Sequence, residues 1–187
     1  DLLLYSSNIY LDQGFNFSNA DLQEDILNFL KDRFKYYLKD KNIRHDIIDA
    51  VTNNFDLNKI STTFVKAKSS NKIINKKIGE DIVSSYKRAS NILQSEIKNI
   101  KNNLTNKTDP DIFNNDFEKD LYKKTNELRK HFSDISKNQN FDETLVLLSY
   151  TKKEVFAFFD NVKVNDNNET IKRNRLELIN LLCKTFE

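Results

Sequence analysis

The sequence has 187 residues, with 38% hydrophobic and 31% charged side chains and a formal net charge of +2. Two Gly, one Pro and one Cys exclude a turn-rich β-sandwich, a Gly-rich phosphate loop, a dinucleotide fingerprint, a disulfide scaffold and a thiolate-rich zinc site. No run of about 18 apolar residues is present to span a membrane.

Apolar spacing is helical nearly throughout. Residues 2–12 read as the end of a helix, followed by a loop around Gly14–Asn19. Asp21 to about Lys41 is a long helix in which Ile26, Phe29, Leu30, Phe34, Tyr37 and Leu38 recur at three- and four-residue steps. Ile43–Val51 is a short helix, and Asp56 is placed to N-cap one reaching about Ser69. Gly79 precedes a periodic run of Ile82, Tyr86, Ala89, Leu93, Ile97, Ile100 and Leu104. Asp109-Pro110 breaks the chain, because proline cannot continue a helix and restricts the residue before it. Asn115–Phe132 follows, with Phe117, Leu121 and Leu128 on one side. Phe141–Leu148 and Thr151–Phe159 are short apolar helices, Asn165–Glu169 is a polar turn, and Thr170–Phe186 closes the chain. The expected fold is an all-α bundle of about seven or eight helices, without repeats.

No secretory leader pattern opens the sequence. No Met occurs anywhere, and the first residues lie inside the apolar run Leu2-Leu3-Leu4-Tyr5. The expectation is a piece of a longer intracellular protein. The near-neutral total hides an asymmetry. Residues 1–60 carry 7 basic and 10 acidic side chains, residues 61–107 carry 10 and 3, and residues 108–187 carry 13 and 15. A central block of net charge +7 is the local field that attracts phosphate, or else a solvated lysine-rich face.

Catalytic constellations are lacking. His45-Asp46 has the look of a metal-ligating pair, but His131 is the only other histidine, and several imidazoles would have to converge. His45 reads as a polar helix-start residue. Cys183 lies on an apolar stripe with no base at hand, so it reads as core filling. Adjacent carboxylates such as Asp142-Glu143 occupy helix surfaces without an acid/base context. The rings of Phe156, Phe158 and Phe159 sit among Val155, Ala157 and Val162 and read as core.

The basic helix says more. With Ile82, Tyr86, Ala89, Leu93, Ile97 and Ile100 turned inward, Lys87, Asn91, Gln94, Lys98 and Lys101 share another face, and Arg88 flanks it. Lysine attracts phosphate as a point charge, whereas Arg and Asn pair two-pronged with base edges. A second cluster, Lys172-Arg173-Asn174-Arg175, opens the last helix. Lys outnumbers Arg 24 to 6, so an arginine here suggests geometry that lysine cannot supply. That geometry is either RNA contact or ion pairing between helices, for instance with Asp160.

Four segments carry a resemblance. They are Arg44-His45-Asp46-Ile47-Ile48-Asp49-Ala50-Val51, Tyr86-Lys87-Arg88-Ala89-Ser90-Asn91-Ile92-Leu93, Phe158-Phe159-Asp160-Asn161-Val162-Lys163-Val164-Asn165 and Arg173-Asn174-Arg175-Leu176-Glu177-Leu178. In order and spacing they resemble the C-terminal part of the bacterial glycyl-tRNA synthetase β subunit, and the likeness covers nearly the whole chain. Asn161 and Lys163 depart from it, where the family often has Lys and Met. The resemblance implies a DALR-type anticodon-binding bundle over residues 21–187, preceded over 1–20 by the tail of another helical region and stopping short of the family's usual end. It implies a cytoplasmic α₂β₂ ligase that joins glycine to tRNA(Gly). ATP and Mg would be used on the α subunit, and no cofactor would bind this piece. Lys87, Arg88, Asn91, Lys98, Lys172, Arg173 and Arg175 are the residues expected to meet RNA, with none catalytic and none on metal. A helical module that docks protein partners is the alternative.

Overall fold

The computed structural model describes residues 2–97, 104, 105, 107–135 and 140–186. Among these the fold is all-α. Its helices are α1 (Leu2–Asp12), α2 (Asn19–Asp40), α3 (His45–Thr52), α4 (Ile60–Ile73), α5 (Lys77–Ile97), α6 (Asp116–Ile135), α7 (Phe141–Ser149), α8 (Lys152–Asn161) and α9 (Glu169–Phe186). Single 3₁₀ turns occupy Leu57–Lys59 and Pro110–Ile112. The chain divides into two compact units, residues 1–71 and 72–187.

In the first unit α2 packs on α1 and α3. Ser18 opens α2 by accepting the Asp21 N–H. Phe34, Leu38, Ile43, Ile47, Ile48 and Ala67 are buried. Asn42 takes a left-handed φ of 59°, a conformation asparagine tolerates better than most residues. This delays the third helix to His45, two residues later than the apolar pattern predicts. Asn71 secures the turn: its Oδ1 accepts the Arg44 N–H at 3.0 Å, and its Nδ2 donates to the Asn42 carbonyl at 3.1 Å. Asp56 caps as expected, but by accepting the Asn58 N–H of the 3₁₀ turn rather than an N–H of α4. Phe29 and Tyr37, expected on the apolar side of α2, are exposed. The inward stripe of α2 is narrower than its full set of apolar residues.

The second unit is built around α9, which packs on α5 and α6, while α7 and α8 cover both of those helices. Leu176, Leu178, Ile179 and Leu182 of α9 are fully buried or nearly so, and they join Ala89, Leu93, Leu121, Val155 and Phe158 in one core. Gly79 lies inside α5 rather than before it. A Cβ there would come within 2.6 Å of the Ile74 backbone, closer than any side chain can sit, so the missing side chain lets the chain fold back on itself at 73–79. Pro110 opens a 3₁₀ turn, and Asp109 caps that turn by accepting the Asp111 N–H.

Candidate nucleic-acid interface

Helix α5 is amphipathic as its sequence predicts except at its end, where Ile97, expected inward, is exposed and Ile100 lies outside the described residues. Ala89 and Leu93 are buried, and Lys87, Asn91 and Gln94 lie exposed on the other side. Lys87 and Asn91 stand at i and i+4, so they are neighbours on one surface. Among the described residues neither is tied up in a hydrogen bond or ion pair. Lys98, expected to continue this face, lies outside the described residues, as does Lys101.

Arg88 sits at the flank. Its Nη2 donates to Asp160 Oδ1 at 2.6 Å, and its guanidinium lies 4.7 Å from the ring centre of Phe156 and 5.4 Å from that of Phe159. Two aromatic faces and a carboxylate orient it, and it joins α5 to α8. Phe158 is the fully buried member of the aromatic trio, while Phe156 and Phe159 are half-buried. Lower on α5, Asp81 accepts from Lys152 at 2.7 Å and pairs with Lys77 at 3.1 Å.

The cluster on α9 is split by the fold. Lys172 pairs with Glu96 at 3.2 Å, and both side chains are largely buried. This pair joins the last turn of α5 to the first turn of α9. Arg173 is 40% exposed and lies 3.8 Å from Glu177. Arg175 is interior, with its side chain 7% exposed. Its Nε donates to Glu118 Oε1, and its Nη1 donates to Asp166 Oδ2 at 2.8 Å and to the Lys163 carbonyl at 2.9 Å. The four candidates Lys87, Arg88, Asn91 and Arg173 therefore keep some exposed surface. Lys172 and Arg175 connect elements, as the ion-pairing alternative anticipates, although Asp160 pairs with Arg88 and not with α9.

Asn174, Glu177 and Glu118 form a polar framework that the sequence reading missed. Asn174 Oδ1 accepts the Asp109 N–H at 2.8 Å, and its Nδ2 donates to the Asp109 carbonyl at 2.9 Å. Both Glu177 oxygens accept the Thr105 N–H, at 2.8 and 2.9 Å, and Oε1 also accepts the Thr105 hydroxyl. Glu118 accepts the Asn114 N–H at 2.7 Å, and Asn115 caps α6 through the Glu118 N–H at 3.0 Å. Buried polar groups cost free energy unless paired, and here the partners are backbone groups of irregular segments. The Asn115-x-x-Glu118 spacing is a capping pattern and was the one available signal. Pinning Thr105 and Asp109 beside α9 leaves a cleft of about 360 Å³ whose lining includes Lys107, Ile112, Glu169, Thr170 and Arg173.

The electrostatics give a pH expectation. Lys152, then Lys77, hold the Asp81 carboxyl below its ordinary value. The Asn168 N–H, then Arg175, do the same for Asp166. Carboxyls depressed in the folded state bind fewer protons than in the unfolded chain. They stabilise the fold above the unfolded-state value of about 4, and that stabilisation is lost as the pH falls through their lower folded values. Thermal melts from pH 7 to pH 3 are expected to show the midpoint dropping below about pH 4. In Asp81→Asn the drop is expected to be smaller.

No group of three His, Cys, Asp or Glu side chains among the described residues is arranged to hold a metal. His45 is exposed and pairs through Nδ1 with Asp49 at 3.0 Å, and Cys183 is buried. No helix among the described residues is long and apolar enough to cross a membrane.

Residues 82–187 match the DALR anticodon binding domain family. The chain is 31% identical over 172 residues to the glycine–tRNA ligase beta subunit of Rickettsia prowazekii (strain Madrid E), covering 91% of this chain and 24% of that protein. It is 31% identical over 189 residues to the same subunit of Rickettsia africae (strain ESF-5), covering 100% and 26%. Against Rickettsia bellii (strain OSU 85-389) the identity is 33% over 182 residues, covering 96% and 25%. The chain spans about a quarter of the length of these curated relatives.

Proposed function

Because the chain belongs to the DALR anticodon binding domain family, we propose that it binds the anticodon stem and loop of tRNA(Gly) as part of a glycine–tRNA ligase β subunit. Aminoacylation takes place elsewhere in a cytoplasmic α₂β₂ enzyme, where the α subunit binds ATP, Mg and glycine. The chain contributes to a ligase without itself performing covalent chemistry or binding a cofactor. The observation that carries this reading is the family match over residues 82–187, and the exposed Lys87 and Asn91 on α5 support it. Lys87 attracts the phosphate backbone, Asn91 offers a donor and an acceptor to a base edge, and Arg88 presents a guanidinium held over two rings. Arg173 forms a second contact, Lys172 and Arg175 support it from within, and Lys98 adds a further cation for the phosphate backbone.

Titration of the chain with tRNA(Gly) and an anticodon-swapped tRNA at two salt concentrations tests this reading. Affinity is expected to fall steeply with salt, as counterion release requires. Lys87→Ala is expected to weaken all tRNAs alike and lower the salt slope by about one. Asn91→Ala is expected to cost about 1–3 kcal/mol and blur the choice of anticodon. Unchanged binding in folded variants of Lys87, Arg88 and Asn91 would mean that α5 is a plain solvated face.

A protein-docking role has one observation in its favour, the exposed Phe29, Tyr36 and Tyr37 of α2. It predicts no salt-dependent tRNA binding in the same titration.

A further inference from the structure

We infer that the cleft between the Thr105, Lys107, Asp109 and Ile112 side and the first turns of α9 receives one unpaired nucleotide of the bound RNA, with a base that carries an exocyclic amino group. This rests on the tRNA-binding reading and assigns a site within it. The cleft, at about 360 Å³, lies at the small end of the range for ligand sites, roughly 300–1,000 Å³. Its inner wall is rigid. Asn174 grips both backbone groups of Asp109, and Glu177 grips the N–H and hydroxyl of Thr105. These bonds pin Thr105 and Asp109 to α9 beside the cleft.

The groups at the mouth define the ligand. Lys107 and Glu169 are exposed, Arg173 is 40% exposed, and Ile112 supplies an apolar surface. A wholly basic groove would hold phosphate alone. Of the three lining carboxylates, Glu177 is spent on Thr105 and Asp109 on the Asp111 N–H, which leaves Glu169 beside two cations and an apolar patch, the combination that suits a phosphate joined to a base. Lys107 and Arg173 meet the phosphate, Ile112 packs against the base plane, and the Glu169 carboxylate accepts from the amino group. Adenine, cytosine and guanine have such a group and uracil does not. Position fits as well. The Lys172–Glu96 pair brings the first turn of α9 against the last turn of α5, so RNA lying along the Lys87 and Asn91 face runs toward the end of the unit that holds the cleft.

The test uses a fluorescein-labelled RNA stem-loop whose loop is all uridine. It is compared with loops in which a single adenosine, cytidine or guanosine is walked through each position. The wild-type chain is expected to prefer an amino base at one position by about tenfold. Glu169→Ala is expected to abolish that preference by removing the acceptor, and to raise the affinity for the all-uridine loop because a negative charge beside the phosphate is lost. Lys107→Ala is expected to weaken every loop by a similar factor. If Lys87→Ala weakens binding while Lys107→Ala and Glu169→Ala change neither affinity nor preference, the cleft assignment is overturned and the tRNA-binding reading stands. A wild-type chain that binds neither these loops nor tRNA overturns both.

Discussion

Arg175→Ala is expected to destabilise the second unit by about 3–5 kcal/mol, the range for removing one partner of a buried ion pair. Glu118, with its side chain 1% exposed, would keep its bond from Asn114 and lose its countercharge. The Lys163 carbonyl and Asp166 would lose their shared donor, loosening the turn between α8 and α9. Adding Glu118→Gln to Arg175→Ala removes the stranded charge and is expected to recover part of the loss. Arg175→Lys is expected to recover less, since one ammonium cannot span three acceptors that a guanidinium reaches together. Urea denaturation of the four proteins measures this. A single variant within about 1 kcal/mol of the parent would place Arg175 in the class of exposed pairs and reopen it as an RNA contact.

Phe158→Ala is expected to cost about 3–5 kcal/mol as well, through lost burial and the cavity left behind. The ring is completely buried in the core where α5, α6, α8 and α9 meet, edge-on to Phe159 at 5.1 Å between centres. Phe156→Ala is expected to act differently. It removes one of the two faces on which Arg88 rests, so its stability loss is smaller and its effect on tRNA affinity larger. Measuring melting midpoint and tRNA affinity on both variants separates core from platform. Equal stability losses would mean that the aromatic trio acts as one packed unit.

Much of the fold was legible because helices announce themselves locally. Three- and four-residue apolar spacing and Asp56 as a cap placed most elements within a few residues. The misplaced boundaries have tertiary causes. Ile43 is buried in the turn that Asn42 makes, and Asn71 pins that turn from far along the chain. Gly79 looked like a helix start because glycine is a poor helix former, yet the close approach of the Ile74 backbone accounts for it inside α5. Phe29 and Tyr37 carry the right period on α2 but have too little neighbouring surface to bury them.

The candidate site divides along the same line. The sequence by itself determined the all-α class, the basic block at residues 61–107 and the inward and outward faces of α5, because charge and periodicity are properties of a continuous segment. Which arginine points where depended on partners remote in sequence. Arg88 pairs with Asp160 and Arg175 with Glu118, 72 and 57 residues away, and no local pattern encodes such distances. Among the motif strings at Tyr86, Phe158 and Arg173, the first and last leave RNA contact and ion pairing open in one dimension, and the middle one reads as core. In three dimensions the first two meet through Arg88 and Asp160. The third reaches from α9 to Glu118 and to the turn after α8, since a charge taken out of water must find its countercharge wherever the fold supplies one. The cleft beside α9 was invisible for the same reason, since its walls come from residues some 60 apart and exist only because Asn174 and Glu177 hold them together.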